Sequence, residues 1–318
     1  MISVLLVAER DNQSEISQST LQAVTAARSL GDAQITAVIA GDADGSASSL
    51  AVDRVVTISA VDSADVGIYE QASAELAALI SSTSPDVVIL SKSDFGSIVG
   101  ARVAFRVDAA FAPDCIEISN TAGSTNVTRP VYGGSALAEF EIASSPAIVT
   151  LRAGAFEPSS DTGSPEVEGF DSGATADRSV SVSDTIAEAR EGIRLEDADF
   201  VVSGGRGLGG PEPFSVLTDL ANVLGGAVGA SRAACDAGWI DHSHQVGLTG
   251  KSVSPDVYIA VGISGASQHM AGCSSSRAIV AINKDGDSNI FKEARFGVVG
   301  DWEKVLPSFL ATVRDLKA

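Results

Sequence analysis

The chain has 318 residues, a formal net charge of −20 and 45% hydrophobic side chains. This length allows two domains with buried cores, and the excess of acid argues against nucleic acid as a partner. Three cysteines without a Cys-x-x-Cys pair argue against a disulfide framework, a structural zinc and an iron–sulfur cluster. We expect Cys115, Cys235 and Cys273 to fill cores, and we expect no metal site.

The charge is unevenly placed along the chain. Residues 1–199 carry 30 acidic and 11 basic side chains, whereas residues 200–318 carry 11 and 10. Solvation in a high-salt cytoplasm explains this asymmetry most simply, because salt screens repulsion between carboxylates. Docking of a partner on the acidic half is the alternative. The near-neutral second half can tolerate an anionic ligand.

The first half alternates strands and helices. Residues 1–9 have no basic leader and too short an apolar run to span a bilayer, so they predict a first strand and a cytoplasmic protein. Strands separated by helices predict a parallel sheet that is covered on both faces. The predicted strands are Ser3–Ala8, Ile35–Ala40, Val55–Ile58 and Val87–Ser91, and the predicted helices are about Glu15–Leu30, Ala64–Ser82 and Ser97–Val107.

After Pro113 the pattern changes to successive β-strands, near residues 116–118, 126–129, 136–141 and 148–152. Residues 157–178 are poor in bulky side chains and rich in acid, which predicts a linker or surface excursion. An edge strand at Ser179–Ser183 and a connection at Glu188–Arg194 follow. We therefore expect domains of residues 1–190 and 191–318, with a boundary near residue 190.

The second half repeats one pattern: a short apolar strand and then a polar or glycine-rich turn. The strands are Phe200–Val202, Ala227–Val228, Val257–Val261, Ala278–Ile282 and Phe296–Val299. Their turns are Gly204–Gly207, Ser231-Arg232, Ser264–His269, Asn283–Asp285 and Asp301. In an open parallel sheet, ligands bind outside the carboxyl ends of the strands, so the five turns predict one crevice that is the candidate active site.

Helices and a long loop complete this half. Phe214–Leu224 has the apolar period of a helix, and a last helix is predicted after Asp301 as its N-cap. The apolar stripe of the last helix is Val305, Leu306, Phe309, Leu310, Val313 and Leu316. The glycine-rich segment His242–Pro255 is longer than a plain connection needs, which favours a functional loop.

Two glycine-containing turns could bind phosphate. Gly205-x-Gly207-x-x-Gly210 matches the dinucleotide fingerprint only formally, because Pro211 and Pro213 keep a helix from following it directly. A tight turn that exposes Arg206 is the better interpretation. Ser264–Ser267 is the stronger signal, because it follows a strand and opens a predicted helix. Arg206, Arg232 and Lys251 add positive charge from neighbouring turns.

The crevice lacks the patterns of hydrolysis. His269 could be a helix-start histidine that bonds to backbone, and neither a metal-ligand constellation nor a nucleophile elbow accompanies it. Phosphate donors, two arginines and one histidine without an evident base or nucleophile fit a bound cofactor that does the chemistry itself. The residues predict a cofactor-holding protein.

Several motifs occur in an order that resembles the electron transfer flavoprotein α-subunit (FixB) family. They are residues 202–208, 228–234, 236–239, 245–251, 262–269 and 281–285. This resemblance covers about residues 198–318, and the first half is more loosely similar through residues 129–134 and 151–156. It implies an α/β protein of two domains. The N-terminal one is a nucleotide-hydrolase-like sheet domain with extra β-strands, and the C-terminal one is a doubly wound parallel-sheet domain that binds FAD.

The resemblance also implies roles for individual residues. Arg206 and Ser231 would contact the pyrophosphate or ribityl region, Ser264–His269 the phosphates and ring, and Asn283 and Asp301 the adenosine end. The redox-tuning residues would be Arg232 over the isoalloxazine, Thr249 near N5 and His269 at the pyrimidine side. A cation and donors there would stabilise anionic reduced flavin and raise its potential. The full predicted set is Arg206, Ser231, Arg232, Gln245, Val246, Gly247, Leu248, Thr249, Ser264, Gly265, Ala266, Ser267, Gln268, His269, Asn283, Asp301 and Trp302.

By the same resemblance, the chain would pair with a β subunit and act as an electron carrier rather than as an enzyme with its own substrate. It would accept electrons from flavin dehydrogenases such as the acyl-CoA dehydrogenases of fatty acid β-oxidation and pass them to a membrane quinone oxidoreductase. The alternatives are a flavin-based bifurcating complex that oxidises NADH, and an adenine-nucleotide sensor without redox residues. Two positions depart from the family pattern: Leu248 replaces a usual glutamine, and Arg295-Phe296 replaces a usual Asp-Tyr.

Overall fold

The computed structural model describes residues 1–11, 14–43, 45–58, 69–121, 123–134, 136–176, 180, 183–184 and 193–317. The chain divides into two compact units. The first comprises Met1–Pro130 and Leu137–Glu188, and the second comprises Val131–Ala136 and Ala189–Ala318. The segment Val131–Ala136 thus groups with the second unit. A single boundary near residue 190 would place this segment in the first unit.

The first unit contains a parallel sheet. Its seven described strands run in the order β10-β3-β2-β1-β4-β9-β5. Side chains alternate across it: Val4 and Leu6 of β1 enter one buried cluster, while Leu5 and Val7 enter another on the opposite face. Both faces are therefore covered, as predicted. The strands are β1 (Ile2–Val7), β2 (Ala33–Ala40), β3 (Arg54–Ile58), β4 (Val87–Ser91), β5 (Ala110–Cys115), β9 (Ala147–Leu151) and β10 (Glu166–Gly169).

Serine caps set the helix starts in this unit. α1 (Gln18–Arg28) begins after Ser17, whose side chain accepts the Thr20 N–H, and α3 (Asp94–Arg106) begins after Ser93, which accepts the Gly96 N–H. The starts predicted at about residues 15 and 97 were wrong, because the hydrogen bonds of these serine caps set the first turn of each helix. α2 spans Glu70–Thr83, and residues 64–68 of its predicted range lie outside the described residues.

Two strand predictions need correction. β5 is absent from the predicted strands. The strand predicted near residues 148–152 is confirmed as β9, which joins the parallel sheet beside β4 and β5. β10 lies in the predicted linker, where Glu166–Gly169 pairs in parallel with Arg54–Thr57. The other strands, β6 (Glu117–Thr121), β7 (Ser124–Val131) and β8 (Ala136–Ile142), form a three-stranded sheet. The strand predicted at Ser179–Ser183 falls largely outside the described residues.

The second unit is a doubly wound α/β structure. Its five parallel strands run in the order β12-β11-β13-β14-β15. They are β11 (Phe200–Gly204), β12 (Ala227–Ala230), β13 (Val257–Val261), β14 (Ala278–Asn283) and β15 (Phe296–Val299). The helices are α4 (Phe214–Leu224), α5 (Arg232–Asp236), α6 (Ser267–Cys273), α7 (Ile290–Glu293) and α8 (Trp302–Lys317). The predicted bounds of α4, β13 and β15 are confirmed.

Helices cover the two faces of this sheet. α4 and α8 pack Leu217 and Leu306 on one face, and α6 and α7 pack Met270 and Ile290 on the other. Leu316, predicted in the buried stripe of α8, is instead 81% exposed. The three cysteines are unpaired and buried, which confirms their core role. Among the described residues, no helix has the length and apolarity that crossing a membrane requires.

Candidate functional site

A cavity of about 670 Å³ lies in the second unit, at the carboxyl ends of β11, β12, β13 and β14. This volume is typical of a site for a small molecule or cofactor. The sequence-predicted residues that line it are Arg206, Ser231, Arg232, Gln245, Val246, Gly247, Leu248, Thr249, Ser264, Ala266, Gln268, His269 and Asn283. The structure thus brings most of the predicted set around one cavity, as the convergence of the turns predicted.

Four residues of the predicted set do not line the cavity, and each has a structural role. Asp301 caps α8, where its Oδ1 accepts the Glu303 N–H at 3.1 Å. Trp302 packs against the core. Gly265 has a φ of +73°, and a Cβ there would lie 2.3 Å from the Ile290 nitrogen. Ser267 is the first residue of α6. The turn after β15 therefore does not join the other four turns at the cavity.

Sequence reasoning missed several lining residues, of which Ser288 is the most informative. The Ser288 hydroxyl donates to the Ser264 carbonyl at 3.0 Å, and Asn283 Nδ2 donates to the Ile263 carbonyl at 2.9 Å. Together they fasten the end of β14 to the turn after β13. The polar turn after Asn283 was a usable signal, but the prediction stopped at Asp285. The other missed lining residues are Ala233, Asp236, Gly262 and Ile263, whereas Gly207 and Asp285 belong to turns that the sequence placed at the crevice.

The turn after β11 is tight, as predicted. Arg206–Leu208 forms a single 3₁₀ turn, and α4 begins only at Phe214, so no helix follows the glycine fingerprint directly. Glycine is required at 205 because a Cβ there would lie 2.2 Å from the Gly262 carbonyl oxygen. The glycines thus serve a close approach of two backbone turns, and the dinucleotide interpretation is rejected.

Two buried polar atoms of the lining lack a hydrogen bond of ordinary geometry within residues 193–317. They are the hydroxyl oxygen of Ser231 and Nδ1 of His269. A buried polar group without a partner costs about 1–3 kcal/mol, which a polar ligand can recover. The Ser231 hydroxyl in particular fits a site that binds a polar cofactor.

The loop that carries Thr249 is held by its own hydrogen bonds. Gln245 is buried, and its Nε2 donates to Thr249 Oγ1 at 3.1 Å. Because an amide nitrogen only donates, the Thr249 hydroxyl accepts here and keeps its own proton for another acceptor. The Leu248 N–H donates to the Gln268 carbonyl at 2.7 Å, while the Leu248 side chain is 61% exposed.

The positive charge of the cavity comes from two arginines. Arg206 and Arg232 line it, and the Arg232 side chain is 67% exposed with Nε 3.3 Å from Asp236 Oδ2. Lys251, predicted to contribute, instead bonds to Glu196. Burial alone would raise the pKa of Glu196, but the hydrogen bond and charge of Lys251, a backbone hydrogen bond and the charge of Arg194 together outweigh it, and the pKa lies below its ordinary value. The Lys251 charge is therefore neutralised within the fold.

His269 is buried rather than charged. Its Nε2 lies 3.0 Å from the Tyr258 hydroxyl, and the side chain is 7% exposed. Burial lowers its pKa to about 4, against a weaker opposing effect of the Val246 backbone carbonyl. His269 is neutral near pH 7, and the Tyr258 hydroxyl is its side-chain hydrogen-bond partner. Backbone also acts on the ring, through the Val246 carbonyl.

A doubly wound α/β unit with this cavity at the carboxyl edge of its sheet defines a protein that binds a nucleotide-type cofactor. Comparison with known families identifies the family of such proteins to which the chain belongs. Residues 4–177 match the electron transfer flavoprotein domain, and residues 194–274 match the electron transfer flavoprotein FAD-binding domain. The chain belongs to the electron transfer flavoprotein α-subunit family, and its cofactor is FAD.

Relatives along the whole chain agree with this assignment. The electron transfer flavoprotein subunit alpha of Bacillus subtilis (strain 168) is 38% identical over 303 residues, which are 92% of this chain and 92% of the relative. The subunit alpha of Mycobacterium leprae is 37% identical over 98% of both chains. That of Thermoanaerobacterium thermosaccharolyticum is 42% identical over 78% of this chain and 76% of the relative. Membership as an α subunit implies a β-subunit partner.

Proposed function

We propose that this chain forms a heterodimer with a β subunit and carries electrons from flavin dehydrogenases to a membrane quinone oxidoreductase. The donors that we propose are acyl-CoA dehydrogenases of fatty acid β-oxidation, and the compartment is the cytoplasm. One observation carries the proposal: Arg232, Thr249 and His269 line a single cofactor-sized cavity. These are the residues that the family resemblance assigns to tuning a flavin.

FAD, when bound, supplies the redox chemistry, because it accepts one or two electrons and releases them singly. The chain holds and tunes it. The unpartnered Ser231 hydroxyl and the Arg206 guanidinium would hold the pyrophosphate or ribityl region, and Asn283 would lie toward the adenosine end. Asp301 remains a proposed contact at that end, and Gly265 and Ser267 remain proposed contacts at the phosphates and ring, although none of the three lines the cavity. Trp302 remains a proposed FAD contact.

The tuning residues act through charge and hydrogen bonding. Arg232 supplies a positive charge that favours negative charge on the ring, and its 67% exposure weakens this effect through solvent screening. Thr249 keeps a hydroxyl proton to donate toward N5, because its oxygen already accepts from Gln245. Leu248 offers only an apolar side chain, so that position contributes no polar contact.

The lining supports a carrier rather than a hydrolase. A nucleophile needs an adjacent base, and His269 is the lining histidine within residues 193–317. Its Nε2 is engaged with Tyr258 and its low pKa makes it a poor base, so it does not activate a serine there. The proposal therefore gives the chain no substrate of its own.

Co-expression with the β subunit tests the proposal. We expect the purified heterodimer to show flavin absorbance, to be reduced by an acyl-CoA dehydrogenase with its acyl-CoA, and to pass electrons to a quinone oxidoreductase. A purified heterodimer without bound flavin would contradict the proposal. Two flavins per heterodimer with NADH oxidation would replace it with the bifurcating alternative.

Arg232→Ala separates electron carriage from mere nucleotide binding. We expect a lower flavin potential and an electron-transfer rate reduced about threefold to tenfold, since the lost charge is partly screened. Arg277→Ala is the matched control, because Arg277 pairs with Asp256 at 79% exposure away from the cavity. If Arg232→Ala retained full function, the nucleotide-sensor alternative would gain support.

A further inference from the structure

Tyr258 is the largest fully buried side chain of the protein among the described residues, and its hydroxyl has a specific partner. The residue lies in the centre of the sheet on β13, with no exposed surface. Its oxygen is 3.0 Å from His269 Nε2, and the two rings are tilted by 55° with centroids 6.0 Å apart. A buried Tyr hydroxyl normally needs a hydrogen-bond partner, and this one uses the cavity histidine.

The direction of this hydrogen bond follows from the surroundings. Burial raises the pKa of Tyr258 well above its ordinary value, so the hydroxyl keeps its proton. Among the described residues, His269 Nε2 is the partner that this hydroxyl has at regular hydrogen-bond geometry, so the hydroxyl donates to it. A neutral imidazole carries one ring proton, which then lies on Nδ1. Nδ1 itself makes no hydrogen bond of regular geometry within residues 193–317.

The groups around the pair leave it uncharged. Cys273, on the same helix as His269, has a thiol whose pKa burial raises to about 12, and Ser203 on β11 contributes a neutral hydroxyl near Tyr258. On the adjoining loop, Gln245 is neutral and Lys251 is paired with Glu196. Glu293 of α7 acts on the Cys273 thiol, but among the described residues no charged side chain contributes to the pKa shift of His269. The proton position of His269 therefore depends on Tyr258 and the Val246 carbonyl.

We propose that Tyr258 is a positioning residue for the flavin site: its hydroxyl donates to Nε2 of His269, fixes the neutral Nδ1–H tautomer and keeps the histidine from adding charge beside the flavin. This inference rests on the proposed place of the ring next to His269. Its consequence is a site whose positive charge near the cofactor comes from the arginines and stays constant across neutral pH.

The tautomer can be measured in the full chain, co-purified with its β subunit and stripped of FAD. The chain has only three histidines, so nitrogen-15 labelling of imidazole gives a small set of signals, and His269→Gln identifies the signal of interest by its loss. We expect a protonated Nδ1 and an unprotonated Nε2. A protonated Nε2 would overturn the proposal. This measurement needs no variant at Tyr258, so it decides even if such variants fold poorly.

Tyr258→Phe removes only the hydroxyl. We expect mixed His269 tautomers and a His269 pKa raised by about one unit from about 4, because the lost hydrogen bond had favoured the neutral form. An unchanged tautomer and pKa would contradict the proposal. Tyr69→Phe makes the same change in the first unit, where Tyr69 stacks edge-on against Phe95, and should change neither. Ser203→Ala removes the neighbouring hydroxyl but leaves the Tyr258–His269 bond, and should also keep the tautomer.

The FAD-loaded heterodimer gives an independent readout. In Tyr258→Phe we expect the flavin potential to rise relative to the wild type as pH falls below about 6, since a protonated His269 would favour reduced flavin. A shifted histidine pKa with an unmoved potential would overturn the flavin part of the inference and the placement of the ring at His269. Absence of flavin from the heterodimer would refute the proposed function instead, while the tautomer would still be decided in the stripped complex.

Discussion

The two parallel sheets of this protein end differently at their carboxyl edges. In the first unit, Asp114 on β5 receives two hydrogen bonds from Arg152, at 2.9 and 2.5 Å, and lies 3.5 Å from Lys92 Nζ. These residues stand at the ends of three neighbouring strands, β4, β9 and β5. In the second unit, the corresponding edge opens into a cavity that contains the unpartnered hydroxyl of Ser231.

Electrostatics accounts for the closed edge of the first sheet. Burial alone would raise the pKa of Asp114, but Arg152 and Lys92 outweigh it and hold the pKa below its ordinary value. The charges at this edge satisfy one another. Ser91 nearby does keep a buried hydroxyl without a hydrogen bond among the described residues, so the contrast concerns the charged groups. In both sheets the topology marks the carboxyl edge as the place where a ligand can bind, and at the second sheet this edge holds the cavity where the predicted cofactor residues meet.

Breaking the cluster of the first unit should have the largest effect. Asp114→Asn leaves Arg152, which is 11% exposed, without its carboxylate and should lower the stability of the first unit by about 3 kcal/mol. Both tryptophans, Trp239 and Trp302, lie in the second unit, so their fluorescence reports that unit and circular dichroism reports both. We expect the dichroism transition to shift and the fluorescence transition and flavin content to stay.

The matched control for this prediction is Asp256→Asn. It breaks the pair with Arg277, which is 79% exposed, and should change stability by less than about 0.5 kcal/mol. Equal effects of the two substitutions would contradict the view that the Asp114 cluster is a buried, mutually satisfied group.

A pH titration should affect the second unit through His269. Its folded pKa of about 4 lies below the ordinary value of 6.5, so the unfolded chain binds more protons between these values. Stability is therefore fully present above about pH 6.5 and is lost as pH falls toward 4. Between pH 6.5 and 4.5 we expect a loss of about 2 to 3 kcal/mol, measured by urea unfolding followed by tryptophan fluorescence.

His269→Gln should flatten this pH dependence. His242→Gln is the control, because the His242 side chain is 65% exposed and should leave the dependence as it is. The same slope in all three proteins would show that His269 is not held neutral by burial. Asp114 contributes in a different window: its stabilisation is present above its ordinary pKa of 3.8 and is lost only as pH falls through the lowered value.

The sequence predicts those parts of the fold and of the candidate site whose signal is local along the chain. The period of apolar residues gave α4, β13 and β15 their correct bounds, and the polar turns after β11–β14 pointed to the cavity. The failures have non-local causes. β10 is a short exposed strand that exists because Arg54–Thr57 offers an edge to pair with, and Lys251 is neutralised by Glu196, a residue 55 positions away. No local pattern encodes either partner.

Substitution of Ser231 separates the effect of its hydroxyl on folding stability from its effect on FAD binding. Ser231→Ala removes a buried group without a partner, so the flavin-free second unit should be unchanged or stabilised by up to about 1 kcal/mol. If this hydroxyl donates to FAD, affinity should fall about tenfold, measured by flavin titration of the stripped heterodimer.

Ser203→Ala is the matched control for that substitution. Ser203 also has a buried hydroxyl without a hydrogen bond of regular geometry, but it does not line the cavity. We expect a similar change in stability and no change in flavin affinity. An equal loss of affinity in both variants would mean that Ser231 acts through packing rather than as a ligand.

The smallest effect should come from Leu248→Gln, which restores the usual glutamine of the family pattern. The side chain is 61% exposed, so stability should change by less than about 0.5 kcal/mol. The loop should stay in place, because it is the backbone N–H of Leu248 that bonds to Gln268. Any change in FAD affinity or in electron-transfer rate would then come from the new amide, and we expect it to be about threefold.

Leu316→Gln, at 81% exposure on α8, makes the same chemical change away from the cavity and should leave FAD affinity and electron-transfer rate unchanged. If Leu248→Gln also left both unchanged, the polar contact would be dispensable here, and the tuning of the site would rest on Arg232 and Thr249.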